Sequence, residues 1–470
     1  MKDECGVFGI FNPQVDVAQY TYWGLFSLQH RGQQSAGICT ADGKKMRSKK
    51  GKGLVLKVFG KGFDDLQGHL ALGHVLYSNA GLDQEINIQP LRVFYDDGDL
   101  ALACNGTINN AGALRHDLQK RGVIFNTTVD SEVVLQLIAC SKKPTFEERV
   151  ADALMQLKGA FALVLMTDKK LIAVRDRYGF RPLCLGKMEG GWCVASESCS
   201  FDLVGAELVR DIKPGEMLVI DNGEKEPVSK MWCSQMPDNC AHCVFEYVYI
   251  ARNDSRIDKQ DVYAARVNLG RQLAKETKGK FKADVVISVP DSGTPAAQGF
   301  AMESGLPFME GLTKNRYVGR TFIQPTQVQR LNSVRLKLNP VRCVVKGKSL
   351  VVVDDSIVRG TTSAKLIKLL KGAGAKEVHM VITSPPVVDC CYYGVDTRDK
   401  ATLISTRCSK DEICKEIGAD TLNYISLEGM KEACTAVVPN DLCCACFNSQ
   451  YPDGSDKVAA KDPVPVWLED

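Results

Sequence analysis

Two apolar patterns divide the chain. Up to about Met231, short β-forming runs alternate with amphipathic stretches. The runs include LALGHVLY (70–77), DLALACNG (99–106), FALVLM (161–166) and LIAVRD (171–176), and SEVVLQLIACS (131–141) has helical spacing. This pattern fits two stacked sheets covered by helices. SQMPDNCAHC, residues 234–243, reads as a crossover. Beyond it, DVVISVP (284–290) and SLVVVDD (349–355) each precede a helix-like stretch, and EVHMVITS (377–384) follows a Gly-rich turn. Such βα alternation predicts a parallel sheet. The expected division is a first domain over 5–233, a second over 234–452, and a Pro- and charge-containing tail over 453–470.

Composition sets bounds on this picture. A chain of 470 residues, 45% hydrophobic, can bury two ordinary cores. A net charge of +3, with acids and bases mixed throughout, gives no electrostatic case for nucleic acid. The start has no signal-peptide h-region, and no apolar run is long enough to span a bilayer, so no membrane partner and a cytoplasmic location are expected. Nineteen cysteines in a chain this long do not resemble a small secreted disulfide scaffold. They predict a reducing compartment, with some cysteines committed to metal or chemistry.

The densest chemistry lies in LVVVDDSIVRGTTS (350–363). An apolar strand ends in Asp354 and Asp355. Ser356, Arg359 and Gly360 follow, and Thr361, Thr362 and Ser363 open a helix. Carboxylates at a strand's C-terminal end suit sugar hydroxyls and a divalent metal, and open N–H groups at a helix start receive phosphate. The run resembles the phosphoribosylpyrophosphate (PRPP) signature of the type I phosphoribosyltransferases. VPDSGTPAA (289–297) also follows a strand and resembles that family's pyrophosphate loop, which assigns PRPP contacts to Asp291, Ser292 and Gly293. The resemblance implies Mg2+ near Ser292, Asp354 and Asp355. The basic run with Arg316, Arg320, Arg335, Lys337 and Arg342 matches the family's flexible loop, which implies PRPP contacts by Arg335 and Lys337 as cations closing over the ligand.

At the other end, Cys5 precedes a Gly and an apolar strand. If Met1 to Glu4 are removed as a propeptide, the freed α-amine can accept the thiol proton, making Cys5 its own nucleophile–base pair. HRGQQSAG (30–37), the pair Asn105 and Gly106, and DSE (130–132) accompany it. Together these resemble the glutaminase domain of the N-terminal-nucleophile amidotransferases. The resemblance implies an αββα sandwich, oxyanion donors at Asn105 and Gly106, and glutamine contacts by Arg31 and Asp130. Both ends together are similar to the glutamine PRPP amidotransferase family, over about residues 4–451. That family implies an α/β chain: the sandwich followed by a phosphoribosyltransferase sheet. It also implies feedback by purine nucleotides and a homotetramer.

Cys443 and Cys446 form a C-x-x-C pair, with Cys243 and Cys391 distant in the chain. Four thiolates from three segments suit an iron–sulfur cluster, but spacing alone does not separate that from structural zinc. The resemblance does, matching these positions to the ligands of a 4Fe-4S cluster in the iron–sulfur branch. Cys240, Cys390 and Cys444 lie close by in sequence and are set aside on the family pattern alone.

The chain departs from the family in GHVLYSNAG (73–81). Leu76 stands where an arginine grips the glutamine carboxylate, and Asn79 replaces a threonine. Thr107 stands where the family more often has Asn. Losing a hydrogen bond to a charged group costs about 1.5–3 kcal/mol. Three activities are therefore weighed. The favoured one is an amidophosphoribosyltransferase using glutamine-derived ammonia. The others are an ammonia-dependent enzyme with impaired glutaminase, and a non-catalytic regulatory paralogue.

Overall fold

The computed structural model describes residues 5–60, 62–77, 85–221, 224–315, 338–395, 397, 399–434 and 442–454. In the first half, two antiparallel sheets pack face to face. The seven-stranded sheet runs Glu207–Asp211, Cys184–Met188, Gly191–Ala195, Gly6–Phe11, Leu70–Leu76, Ser35–Ala41, Met46–Lys52. The six-stranded sheet runs Val228–Met231, Glu216–Asp221, Lys170–Arg175, Gly159–Met166, Gly98–Ile108, Leu91–Tyr95. Their facing sides bury Val7, Leu72, Ala103, Val164 and Leu218. Val17–Ser27 and Cys199–Val204 cover the outside of the first sheet, while Glu132–Cys140 and Phe146–Leu154 cover the second. Central strands are buried on both faces, which is why Gly6–Phe11 and Gly159–Met166 are continuously apolar instead of alternating. Thr145 and Glu148 close a capping box that fixes the start of Phe146–Leu154.

The second half carries a parallel sheet in the order Val285–Ser288, Ser349–Asp354, Glu377–Ile382, Thr421–Tyr424. Val262–Thr277, Gly293–Ser304 and Leu427–Cys434 cover one face; Thr361–Gly372 and Lys410–Ile417 cover the other. Parallel strands covered on both sides read as unbroken apolar runs, as in LVVV before Asp354. The strand ends that carry Ser288 and Asp354 therefore open at the same edge of the sheet.

The two halves are tied together tightly. Ala241 N–H donates to Tyr178 O at 2.7 Å and Cys243 N–H to Phe180 O at 3.1 Å. His242–Cys243 then pairs in parallel with Leu442–Cys443. The end of the crossover is thus docked on the first half and joined there by the last strand among the described residues. Arg175, fully buried, bonds Asp258 at 2.7 and 2.9 Å across the same boundary. No helix among the described residues is long and apolar enough to cross a membrane.

Candidate active sites

The first centre forms where Gly6–Phe11 and Leu70–Leu76 face the strand Gly98–Ile108. Cys5 sits half-buried just ahead of Gly6. Burial raises the Cys104 thiol far above its ordinary value, and the charges of Asp130 and Cys5 push it the same way. Cys5, Asp130 and the start of the Asn105–Gly106 segment thus share one neighbourhood. Asn105 is 1% exposed, and its Nδ2 has no hydrogen-bond partner among the described residues. A buried amide donor left open near a thiol has the character of an oxyanion-hole donor. Gly106 has φ +135, and a Cβ there would lie 2.1 Å from Ala160 O. Only glycine lets this strand approach its neighbour. Asp130 is fixed by Ile108 N–H and Ser131 N–H, both donating at 2.8 Å.

Arg31, expected at the glutamine site, has its guanidinium paired with protein groups. It is fully buried; Nε donates to Cys5 O at 3.1 Å, and Nη1 and Nη2 form a bidentate pair with Glu246 at 3.0 and 2.7 Å. Nη1 also donates to Glu197, whose Oε1 pairs with His30 Nε2 at 2.7 Å. Burial alone would raise the Glu197 pKa, but His30 and Arg31 outweigh it and hold the carboxyl well below its usual range. Glu197 and Glu246 were not singled out in the sequence. The available clue was a lone acid inside the apolar run VFEYVYI.

His74 is fully buried and bonds Cys104 O through Nε2 at 3.1 Å. Burial drops its pKa to about 4, so the ring is neutral. Leu76, two residues along the same strand, shares the His74 face and is directed toward the sheet that carries Asn105. An apolar side chain therefore lines this side of the centre. Asn79 lies outside the described residues.

The second centre lies at the open edge of the parallel sheet. Asp354 and Asp355 are buried at the strand end, and Ser356 Oγ donates to Asp355 Oδ1 at 2.7 Å. Ser292 Oγ donates to Asp355 Oδ2 at 2.5 Å, joining the 289–293 loop to the aspartates. Burial, then the neighbouring Asp355 charge, pushes the Asp354 carboxyl well above its usual range. Gly360, at φ +75, turns the chain into the helix Thr361–Gly372, whose first turn carries no side-chain cap. Thr361, Thr362 and Arg359 are exposed, and Ser363 is buried. The N–H groups of that turn remain available to an anion. Asp291 is exposed and pairs with Lys314, while Gly293 starts the helix Gly293–Ser304. Arg316, Arg320, Arg335 and Lys337 lie outside the described residues; Arg342 is exposed at the start of the helix Arg342–Val345.

Cys243, Cys391, Cys443 and Cys446 line one small cavity, with Phe245 and Tyr393 among its other walls. Cys243 and Cys443 sit directly opposite each other in the parallel bridge. Tyr393 N–H donates to Cys391 Sγ at 3.3 Å. Burial pushes the Cys243 thiol up to about 12 and those of Cys443 and Cys446 well above their ordinary value. Cys240, Cys390 and Cys444 are not among the cavity walls. Among the described residues, no group of three or more His, Cys, Asp or Glu side chains is placed to hold a metal ion.

Fold and sites define the class: a glutamine amidotransferase domain of the N-terminal-nucleophile type joined to a type I phosphoribosyltransferase domain. Residues 77–202 match the glutamine amidotransferase domain family and residues 260–386 the phosphoribosyl transferase domain family. The amidophosphoribosyltransferase of Bacillus subtilis is 46% identical over 458 residues, 96% of this chain and 94% of that protein. That of Methanocaldococcus jannaschii is 45% identical, over 95% of this chain and 97% of its own. A solved structure of the B. subtilis glutamine PRPP amidotransferase with ADP and GMP superposes with a TM-score of 0.89 at 45% identity, covering 95% of this chain and 97% of that one. The chain belongs to the amidophosphoribosyltransferase family.

Proposed function

We propose that this chain makes 5-phosphoribosylamine from PRPP, the first committed step of purine synthesis, with ammonia taken from glutamine. The observation that carries the reading is the pairing, in one chain, of the open Asn105 amide beside Cys5 with the Asp354–Asp355 pair beside an uncapped helix start.

In the first half-reaction the Cys5 thiolate attacks the amide carbon of glutamine, and the Cys5 α-amine takes the thiol proton. Asn105 Nδ2 and Gly106 N–H stabilise the oxyanion, and Asp130 accepts the substrate's α-ammonium. Ammonia leaves, and water releases glutamate from the thioester. This chemistry requires removal of Met1 to Glu4, which lie outside the described residues. In the second, ammonia forms the new C–N bond at the anomeric carbon as the C–O bond to pyrophosphate breaks. Asp354 and Asp355 hold the ribose hydroxyls, the Gly360–Ser363 turn holds the 5-phosphate, and the 291–293 loop faces pyrophosphate. Arg335 and Lys337 are proposed to close over the ligand.

Two adjacent buried carboxylates with a serine hydroxyl fit Mg2+, which takes one or two carboxylates and substrate phosphates for its remaining ligands. When bound it would neutralise charge on the departing pyrophosphate. The four cysteines that ring the cavity, with the Tyr393 N–H aimed at one sulfur, would hold a 4Fe-4S cluster. Such a cluster would hold the crossover, the 391–394 segment and the C-terminal strand together without entering the reaction. Inhibition by purine nucleotides is supported by the ADP and GMP named with the B. subtilis structure. A homotetramer and domain limits of 5–233 and 234–452 complete the reading.

Leu76 on the His74 face favours a second reading, in which glutamine capture is weak and free ammonia is the working nitrogen donor. Anaerobic purification followed by PRPP-dependent pyrophosphate release with glutamine and with ammonium decides between them. Turnover with both establishes the full amidotransferase. Turnover with ammonium alone places the defect at the glutaminase centre, and turnover with neither leaves a non-catalytic paralogue.

A further inference from the structure

Glu246 belongs to the second half of the chain, yet its carboxylate is 2% exposed and faces two buried arginines of the first half. Its Oε1 accepts from Arg31 Nη2 at 2.7 Å and from Arg181 Nη1 at 3.2 Å, and its Oε2 accepts from Arg31 Nη1 at 3.0 Å. Arg31 then reaches the first centre directly, and Arg181 reaches it through the Tyr393–Gly394 segment. Arg31 Nε holds Cys5 O at 3.1 Å. Arg181 Nε holds Tyr393 O at 2.9 Å, and the Phe180 and Tyr393 rings stack with centroids 4.0 Å apart. The next residue, Gly394, lies against the oxyanion strand: a Cβ there would sit 3.3 Å from Gly106 Cα and 3.0 Å from Arg181 Nη2. Nucleophile and oxyanion glycine are thus backed by two segments of the other domain, joined through one carboxylate.

We propose that Glu246 and Arg181 are positioning residues of the glutaminase centre, holding the Cys5 main chain and the Gly106 strand in register from the second domain. The proposal rests on Cys5 being the glutaminase nucleophile. Neither residue contacts the reacting atoms. Glu246, Arg181, Arg31 and the Glu197 that also pairs with Arg31 are buried together and hold one geometry only while all are paired, because an uncompensated buried charge is costly. Displacement of about 1 Å at a reacting centre can cost about 10²-fold in rate.

The test uses the full chain with Glu246→Gln and, because that variant leaves two arginines short of charge, Arg181→Lys as well. Arg181→Lys keeps the cation but loses the fork that spans Glu246 and Tyr393 O. Three quantities are read: the pH profile of Cys5 alkylation by iodoacetamide, followed by mass spectrometry; kcat and KM with glutamine; and pyrophosphate release with ammonium. Both folded variants are expected to slow Cys5 alkylation and shift its pH profile. They should lower glutamine-dependent kcat by about 10–100-fold with KM nearly unchanged, and keep ammonium-dependent turnover within about twofold. Wild-type alkylation and kcat in a folded Arg181→Lys variant would overturn the proposal, as would equal loss of the glutamine and ammonium activities. Cys5 alkylation needs no glutamine capture, so a weak Leu76 site leaves the test intact. A wild-type Cys5 no more reactive than an ordinary thiol would instead remove the nucleophile reading beneath it.

Discussion

Ser292 donates its hydroxyl hydrogen to Asp355 Oδ2 at 2.5 Å, tying the loop after one parallel strand to the carboxylate at the end of its neighbour. The bond orients one aspartate oxygen, while Ser356 takes the other at 2.7 Å. Ser292→Ala removes that restraint and leaves the backbone N–H groups in place. A charge-assisted hydrogen bond contributes about 1.5–3 kcal/mol. The expected result is a rise of about tenfold or more in the KM for PRPP, deepest at low Mg2+, with Ser292→Thr retaining most of the affinity. Initial rates of pyrophosphate release over a grid of PRPP and Mg2+ concentrations measure it.

Asp354 gives a dependence of stability on pH. Its carboxyl is held well above the usual range by burial and by Asp355, so the folded protein keeps a proton that the unfolded chain releases near pH ~3.9. Between those two values stability falls as pH rises, and above the folded value the full cost is present. A divalent cation bound there would offset that cost. Metal-free protein is therefore expected to lose thermal stability as pH climbs above ~4, and Mg2+ to restore it. Asp354→Asn should flatten this part of the profile and raise the metal-free Tm by roughly 2–4 °C, about 1 kcal/mol for a domain of this size, while abolishing pyrophosphate release. An unchanged slope in that variant would show that Asp354 is not the titrating group.

How much the sequence discloses depends on how local each feature is. Asp354 through Ser363 are contiguous, so strand end, turn and helix start can all be read from one run. Gly360 turns the chain there at φ +75. The first centre draws Cys5, Asn105 and Asp130 from separate segments, and only the resemblance gathers them. Arg31 shows what is hidden: in sequence it is one cation in a turn, whereas its partners Glu197 and Glu246 lie 166 and 215 residues away. Buried ion pairs carry no periodicity, since each partner alone resembles a surface residue. Cys444 and Cys446 are likewise inseparable by spacing; only the fold puts Cys446 on the cavity wall.

Leu76 offers a gain-of-function test. It shares the inward face of its strand with His74, which touches Cys104 O at 3.1 Å. A guanidinium introduced there would meet the glutamine carboxylate in a fork geometry that leucine cannot provide. Arg31 is not a ready substitute, because its fork is already paired with Glu246. Leu76→Arg is expected to lower the glutamine KM by about 10–100-fold, the equivalent of about 1.5–3 kcal/mol, with ammonium-dependent rates unchanged. If the wild type already saturates at low glutamine and the variant matches it, another group holds the carboxylate.

The cysteine cavity separates two chemistries by stoichiometry. A 4Fe-4S centre would bring about four iron and four sulfide per chain, whereas zinc would bring one metal and no sulfide. Cys446 lines the cavity and Cys444, two residues earlier, packs into the neighbouring core with Cys434. Anaerobically purified protein is therefore expected to carry iron and acid-labile sulfide, to lose both in Cys446→Ser, and to keep both in Cys444→Ser. Because the cavity joins the crossover to the C-terminal strand through the Cys243–Cys443 bridge, Cys446→Ser should also lower the Tm, and its first loosened region should be residues 442–454. Hydrogen exchange locates that loosening. One zinc per chain, retained in Cys446→Ser, would refute both the cluster and its ligand set.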